Sequence, residues 1–360
     1  MKRLLPLTFL LTAVGFGYVH AQDCPQKLRL ARATYEQGRL REIEVQLKSC
    51  LEEDGFKKNE KQLKVEAYKL LTLSYIYLEE PEKADQAMLN LKLTDPYYEP
   101  NPAVDPAEFV ALYNSFRKDP VYRIGAKLGV NSSRPNVTDL NTAVELTEDS
   151  EYKPLFAIQF GAAIDLPLND RLTLHGEVLY EQHRFEIDQK VNRGTDPDTQ
   201  EPLINSFEGV ETQNWISVPI SAEYNFLNLK SAVHERLRPF VSLGVEGGYL
   251  LPSPAITALR NRAGESSIPE SGIDVDREKI RISALFGAGV KTKIASGLLV
   301  FEIRYVHGLT DVSSEDTAYT NQRLVWEYGY ADPVFKMSSL AITASYVQDI
   351  FKPKKLRSKK

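Results

Sequence analysis

Eight segments between residues 122 and 346 alternate apolar residues with polar or small ones at a period of two. In the first segment, Ala126, Leu128 and Val130 alternate with Lys127 and Gly129. The other segments are 156–166, 172–180, 216–226, 241–249, 282–290, 299–305 and 340–346. Alternation places successive side chains on opposite faces of a β-strand. With its flanks each segment runs about 10 to 15 residues, which suits a tilted membrane-crossing strand better than the shorter strands of soluble proteins.

The connections between these segments are alternately short and long. Residues 167–170 and 294–297 form short links, and a moderate link covers 227–237. The long polar links are 131–153, 188–211, 251–279 and 310–335. Such alternation is typical of outer-membrane barrels, which have tight periplasmic turns and longer extracellular loops. The pattern therefore predicts an eight-stranded antiparallel up-and-down transmembrane β-barrel over residues 119–351, with both of its ends in the periplasm.

A secreted soluble β-sandwich is the competing interpretation of the same alternation. The exposed face of a sandwich would be rich in charged residues, whereas the apolar face here carries aromatic residues near the strand ends. Aromatic girdles at the two membrane interfaces are a property of transmembrane barrels. The aromatic residues in question are Tyr122, Tyr224, Phe226, Tyr249, Tyr305 and Tyr346.

The composition is that of an ordinary soluble protein, with a mean hydropathy of −0.32 and 42% hydrophobic residues. This average does not argue against a barrel, because only every second residue of a barrel strand faces lipid. Beyond the N-terminus no run of about 18 apolar residues occurs, which excludes a polytopic helical membrane protein. Because 44 basic residues stand against 49 acidic ones, no nucleic-acid partner is expected.

The faces opposite the apolar ones carry many charges, which would point into the barrel. An eight-stranded barrel is just wide enough for side chains to fill its interior. Buried charges are tolerated when they are paired and hydrogen-bonded, so we expect an internal salt-bridge network and no conduction. A proton path or a narrow pore is the alternative. The predicted network consists of Arg123, Lys127, Asp165, Glu177, Glu181, Glu223, Glu246, Lys291, Glu302 and Arg304.

The N-terminus carries an export signal and is followed by two cysteines. Lys2 and Arg3 precede an apolar stretch that ends in a small-residue cleavage site, so residues 1–21 are predicted to be a signal peptide. Two antiparallel helices at about 25–37 and 40–53 would bring Cys24 and Cys50 together. In an exported chain this pair predicts a disulfide, with buried free thiols as the alternative.

Residues 22–118 have the helical period, with apolar residues three and four apart and few β-branched residues. The spacing resembles the tetratricopeptide repeat (TPR), in which large, small and aromatic side chains pack two antiparallel helices and a proline closes the second. We predict a TPR-like periplasmic domain of about two repeats and a cap. It would offer a concave face to a protein or act as a helical spacer. Its repeat core would be Tyr68, Leu71, Tyr75, Ala84, Met88, Leu91 and Pro96.

The glycine-rich segment 240–249, the helical segments 79–96 and 105–116, and the first strand resemble outer-membrane barrel proteins of Bacteroidota, the PorT-like group. The resemblance covers nearly the whole mature chain and specifies fold and location more than chemistry. It implies a setting such as type IX secretion or gliding. A basic tail, residues 352–360, follows the last strand, and would touch anionic lipid or a partner, or simply be solvated.

No motif of catalysis, cofactor binding or metal coordination stands out in the sequence. We therefore predict a non-enzymatic protein without cofactors, embedded in outer-membrane lipid and anchoring its helical module for a periplasmic or outer-membrane protein partner. It would serve as a structural or assembly component of an envelope or secretion complex. The alternative is a surface ligand-binding protein or narrow channel that acts through its acidic extracellular loops.

Overall fold

The computed structural model describes residues 23–52, 55–141, 150–226, 237–252, 254–261, 272–294 and 296–356. The chain divides into two compact units. The first comprises Met1–Asp119 together with Lys352–Lys360, and the second is Pro120–Phe351. The predicted signal peptide and the last four residues of the tail lie outside the described residues.

The described residues of the first unit form five α-helices: α1 (Cys24–Glu36), α2 (Leu40–Glu52), α3 (Lys61–Tyr77), α4 (Pro81–Thr94) and α5 (Ala107–Asn114). Gly38, with a φ of 76°, follows α1 in the left-handed conformation that glycine adopts at helix ends. Pro81 opens α4, where its missing N–H would have had no helical partner anyway. Among the described residues, no helix is both long and apolar enough to cross a membrane.

A disulfide joins the start of α1 to the end of α2. The Cα atoms of Cys24 and Cys50 are 5.6 Å apart, a usual separation for a disulfide. Gly55 packs against the bridge so closely that a Cβ there would lie 2.7 Å from the Cys24 sulfur and 3.1 Å from the Cys50 Cα. The disulfide and this glycine together hold the first helical hairpin closed.

The start of the basic tail is an ordered part of the helical unit. Phe116 and Lys355 form an antiparallel β-bridge, and the Leu356 N–H donates to the Ser115 carbonyl at 2.8 Å. The Lys355 ammonium also contacts the Asp85 carboxylate of α4 at 2.5 Å. The described part of the tail is thus fixed by contacts within its own chain.

The part of the second unit that the structure describes is a closed ring of eight antiparallel strands with two additional short strands. The eight are β1 (Tyr122–Asp139), β2 (Glu151–Pro167), β3 (Leu172–Thr195), β4 (Pro202–Asn225), β5 (Arg238–Leu250), β8 (Ile280–Ile294), β9 (Gly297–Gly308) and β10 (Val334–Ile350). Each pairs with its neighbours in the ring, and β1 closes it against β10. The short strands β6 (Ala255–Asn261) and β7 (Ile273–Asp274) extend the sheet beside β4.

The two rims of the ring differ. The rim that we call the turn end carries residues 168–171 and the paired ends of β1 and β10, Tyr122 and Ile350. The opposite rim, the loop end, carries residues 196–201 and the connections into β8 and β10. The outward side chains between the rims are apolar and exposed, including Leu128, Phe160, Val218, Leu243 and Ile303.

The strands extend further toward the loop end than the sequence predicted, so three predicted loops are corrected. Residues 188–211 are largely strand, since β3 and β4 pair from Asp188 with Glu208 to Thr195 with Pro202. Residues 131–139 likewise belong to β1, and the predicted loop 251–279 contains β6 and β7. Inward apolar side chains such as Ile187 and Phe207 are buried in a core at this end, and that burial supports the longer strands.

Candidate functional site

A cluster of two cations and two carboxylates, which we call the central knot, fills the middle of the barrel interior. The Lys127 ammonium lies 2.5 Å from the Glu177 carboxylate and 2.6 Å from that of Glu302. The Arg304 guanidinium contacts the same two carboxylates at 2.5 and 3.0 Å. All four side chains are almost completely buried. Each charge therefore has two partners of opposite sign, as burial at this depth requires.

A second cluster lies nearer the turn end. The imidazole of His175 contacts Asp165 through Nδ1 at 2.5 Å and Glu177 through Nε2 at 2.6 Å. The Lys291 ammonium pairs with Glu223 and lies 3.6 Å from Asp165. His175 links this cluster to the central knot through Glu177. The network predicted from the sequence did not include His175.

At the rim of the turn end, Arg123 pairs with a carboxylate that the sequence did not indicate. Its guanidinium contacts Asp349 of β10 at 2.6 Å, across the pair of strands that closes the ring. Asp349 follows the last alternating residues of the final strand, so extending that alternation would have found it.

A third cluster lies toward the loop end and is organised by Arg281, another residue that the sequence did not indicate. Its guanidinium contacts Glu181 at 2.7 Å, Glu246 at 2.9 Å and the His183 ring at 2.8 Å. Arg281 immediately precedes the outward Ile282, so extending the alternation by one residue would have found it. With this cluster, every predicted network residue has a partner of opposite charge.

The loop end is closed by an aromatic and aliphatic core around a buried arginine. Arg277 contacts Glu211 at 2.7 Å and Asp332 at 2.9 Å, and its guanidinium lies 5.2 Å from the Phe335 ring. Burial alone would lower the pKa of Arg277, but the two carboxylates raise the pKa well above its usual value. The surrounding core is Tyr152, Phe185, Ile187, Phe207, Trp215, Leu250, Ile256, Ile273, Val275, Val312, Leu324, Tyr328, Tyr330, Phe335 and Met337.

The helical unit has a groove of about 390 Å³ between α2, α3 and α4. Three predicted repeat-core residues, Tyr68, Leu71 and Tyr75, line it, whereas Ala84, Met88 and Leu91 pack inside the unit. Pro96 follows the end of α4 at Thr94. The lining is Glu44, Lys48, Leu51, Tyr68, Leu71, Tyr75, Lys83, Gln86, Ala87 and Asn90.

The groove combines an apolar floor with charged and amide-bearing walls. The Lys83 ammonium contacts Glu44 at 3.1 Å and lies 5.3 Å from the Tyr75 ring. Burial, followed by the nearby Glu44 carboxylate, raises the pKa of Tyr75 to about 12, so this phenol stays protonated at neutral pH. Gln86 and Asn90 present amides from α4. Such a surface suits an extended polypeptide, whose backbone needs hydrogen bonds and whose apolar side chains need a floor.

Lys92 of α4 is buried without a hydrogen-bond partner for its ammonium, which lies 3.7 Å from the centre of the Tyr113 ring. Burial, followed by repulsion from Lys118, lowers the pKa of Lys92 to about 8, against the smaller opposing effects of Asp119 and Glu99. The folded unit therefore disfavours the charged form. Its stability should rise as the pH increases from about 8 toward the unfolded value near 10.5.

Replacing Lys92 by Met should stabilise the helical unit at pH 7 by about 1 to 2 kcal/mol, because it removes a buried ammonium and keeps an apolar side chain of similar length. The gain should shrink at pH 10, where the wild-type lysine is already neutral in the folded state. Thermal unfolding of the full-length variant and wild type at both pH values measures this. An equal gain at both would show that the charge of Lys92 is not the cause.

Residues 119–314 match the family model of the outer membrane protein beta-barrel domain. The match covers more than half of the chain. The chain belongs to this outer-membrane β-barrel family. It is accordingly an outer-membrane protein whose apolar outer face lies in lipid. No curated protein matches the sequence.

Solved structures of other outer-membrane proteins are similar to part of this chain. Neisserial surface protein A shares 11% identity and a TM-score of 0.33, covering 63% of this chain and 97% of its own. OprG from Pseudomonas aeruginosa shares 9% identity at a TM-score of 0.36, covering 65% of this chain and 98% of its own. Ail of Yersinia pestis shares 14% identity at a TM-score of 0.28, covering 63% of this chain and 98% of its own. Likenesses this weak add nothing to the family assignment.

Proposed function

We propose that the barrel is a closed anchor in the outer membrane and that the helical unit it carries in the periplasm binds a protein partner of an envelope or secretion complex. The observation that carries this proposal is the filled interior. Three charge clusters occupy the lumen, two of them joined by the contact between His175 and Glu177, and an aromatic core around Arg277 occupies its loop end. Side chains locked by paired charges leave the barrel suited to anchoring, not to transport.

The periplasmic placement of the helical unit rests on the topology of barrels in this family. Short turns face the periplasm and longer loops face outward. Both chain ends of this barrel lie at the turn end. The segment before the first strand and the segment after the last strand form the helical unit. The signal peptide predicted at residues 1–21 would deliver the chain to this compartment.

The partner would bind in the groove between α2, α3 and α4. The pairs α1–α2 and α3–α4 are helical hairpins that bury both large and small side chains, such as Met88 and Ala84 of α4, which supports a TPR-like module. Such modules hold extended segments of other proteins on a concave surface. The resemblance to PorT-like proteins of Bacteroidota suggests type IX secretion or gliding as the setting. No catalytic step is part of this proposal.

Replacing Asn90 by Arg should reduce partner capture from crosslinked envelopes about tenfold or more, because it places a long charged side chain across the groove wall. Leu93→Arg is the matched control, since Leu93 lies on the same helix but is 58% exposed and is not among the groove residues. Both variants should insert normally, shown by heat-modifiable migration on gels. Equal capture by wild type and Asn90→Arg would count against the groove.

A second candidate function is ligand binding or conduction through the loop end. It is favoured by a polar cavity of about 550 Å³ there, lined by acidic and hydroxyl side chains that include Glu278, Asp311 and Asp316. Planar bilayers separate the two functions. The closed anchor predicts no conductance steps from the reconstituted full-length protein at neutral pH, whereas regular single-channel steps would support the narrow channel.

A further inference from the structure

We propose that Asp165, His175 and Glu223 form a binding site for a first-row divalent transition-metal ion inside the barrel, near the turn end. The three residues come from the neighbouring strands β2, β3 and β4. Each can offer one ligand atom, and these atoms lie within 4.8 Å of one another. All three side chains are buried. The strand pairing thus brings two carboxylates and an imidazole close together.

The distances are close to those of a metal site. His175 Nδ1 lies 2.5 Å from Asp165 Oδ1 and 3.8 Å from Glu223 Oε1. In a tetrahedral zinc site, with bonds of about 2.0 to 2.2 Å, neighbouring ligand atoms are roughly 3.3 Å apart. Side-chain movements below about 1 Å would therefore bring the three atoms around an ion.

The second nitrogen of His175 is held as it is in metal-binding histidines. Nε2 lies 2.6 Å from a Glu177 oxygen, and Arg304 and Lys127 in turn fix that carboxylate at 2.5 Å each. A carboxylate that accepts from one ring nitrogen fixes the ring orientation. The other nitrogen, Nδ1, would exchange its contact with Asp165 for the ion, which Asp165 would then share. The central knot of the lumen thus supplies the outer support that a metal site requires.

An incompletely satisfied carboxylate oxygen points to the same place. Asp165 is 1% exposed, and its Oδ2 atom has no hydrogen-bond partner. The ammonium of Lys291 lies 3.6 Å away and is bound to Glu223 instead. Because a buried carboxylate oxygen without a hydrogen bond is unfavourable, this atom is available as a further ligand. Lys291 is the cation with which the metal would compete.

The ligand set selects the class of ion. Ca²⁺ and Mg²⁺ take oxygen ligands, whereas imidazole suits Zn²⁺, Cu²⁺, Fe²⁺ and Ni²⁺. Since the site is buried and its three ligands come from three strands, the role of the ion is to join β2, β3 and β4. It therefore goes beyond the anchoring function and does not depend on any partner.

The test uses the full-length protein, folded in detergent, stripped with a chelator and then titrated with Zn²⁺ alone. We expect a single zinc ion to remain per chain after gel filtration. His175→Gln should weaken binding by about tenfold or more, because it removes the nitrogen ligand. His307→Gln is the control, since His307 faces Ser338 near the loop end and should bind zinc as the wild type does.

Lys291→Gln provides a second test that does not depend on losing a ligand. Removing the competing ammonium should tighten zinc binding, and zinc should raise the unfolding temperature of this variant more than that of the wild type. Wild-type protein that retains no zinc, or equal retention by wild type and His175→Gln, would overturn the site. If His175→Gln does not fold, unchanged zinc affinity in Lys291→Gln would overturn it.

Discussion

Replacing Arg277 by Met is expected to destabilise the loop end of the barrel by roughly 3 to 5 kcal/mol, because it leaves two buried carboxylates without a cation. Glu211 and Asp332 each make two hydrogen bonds to this guanidinium, at distances from 2.7 to 3.0 Å. Methionine fills much of the same space, so the loss is mainly that of the charge. Thermal unfolding in detergent and protease sensitivity of the loop end would measure it.

The control for Arg277→Met neutralises its partners as well. In the triple variant with Glu211→Gln and Asp332→Asn no buried charge is left unpaired, so most of the lost stability should return. Glu211→Gln and Asp332→Asn in the presence of Arg277 should each cost less than the loss of the arginine. If Arg277→Met unfolds at the wild-type temperature, the buried ion pairs do not hold this end closed.

Removing the disulfide is the second change with a large expected effect, and it acts on the helical unit. The cysteines are 26 residues apart in sequence, and closing a loop of that length contributes about 3 kcal/mol in the chain-entropy model. Cys24→Ala with Cys50→Ala should lower the unfolding temperature of the helices by several degrees, with the barrel unchanged. Circular dichroism in the helical and strand regions separates the two transitions.

Reduction of the wild type provides the matching control. Reductant should make the helical unit as sensitive to protease as the double variant, and it should leave the double variant unchanged. The single variants Cys24→Ala and Cys50→Ala should each behave like the reduced wild type. Identical digestion of wild-type protein with and without reductant would show that the bridge contributes nothing to stability.

The barrel could be predicted from sequence because its signal is local and repeated. Alternation within each strand fixes which side chains face inward, so Lys127, Glu177 and Arg304 could be assigned to the lumen from single strands. Which of them pair could not be predicted, because the contact between Lys127 and Glu302 spans 175 residues. It depends on the register of strands that are distant in sequence.

The loop end was missed for a related reason. Arg277 lies in a connection with no alternation, and its partners Glu211 and Asp332 fell in segments predicted to be loops. Those segments are polar on average, but Phe207 and Phe335 within or beside them are buried. Only the packing of several connections against one another makes these residues a core, and no single segment carries that information.

In the helical unit, the sequence indicated helices but not which of their residues pack inside. The helical period correctly indicated α3 and α4, but the same spacing marks residues that pack inside and residues that line a groove. Tyr75 and Met88 therefore looked equivalent in sequence, although Tyr75 lines the groove and Met88 is buried between helices. Distinguishing the two requires the position of α2, which contributes Glu44 and Lys48 to the groove.

The most direct measurement of the central claim is photocrosslinking in intact cells, with the photoreactive residue placed either at Lys48 in the groove or at Asp311 in the loop-end cavity. The closed anchor with a partner-binding helical unit predicts a discrete protein adduct from position 48 that Asn90→Arg abolishes, and none from position 311. An adduct from position 311 alone would contradict that account and favour a function of the loop end.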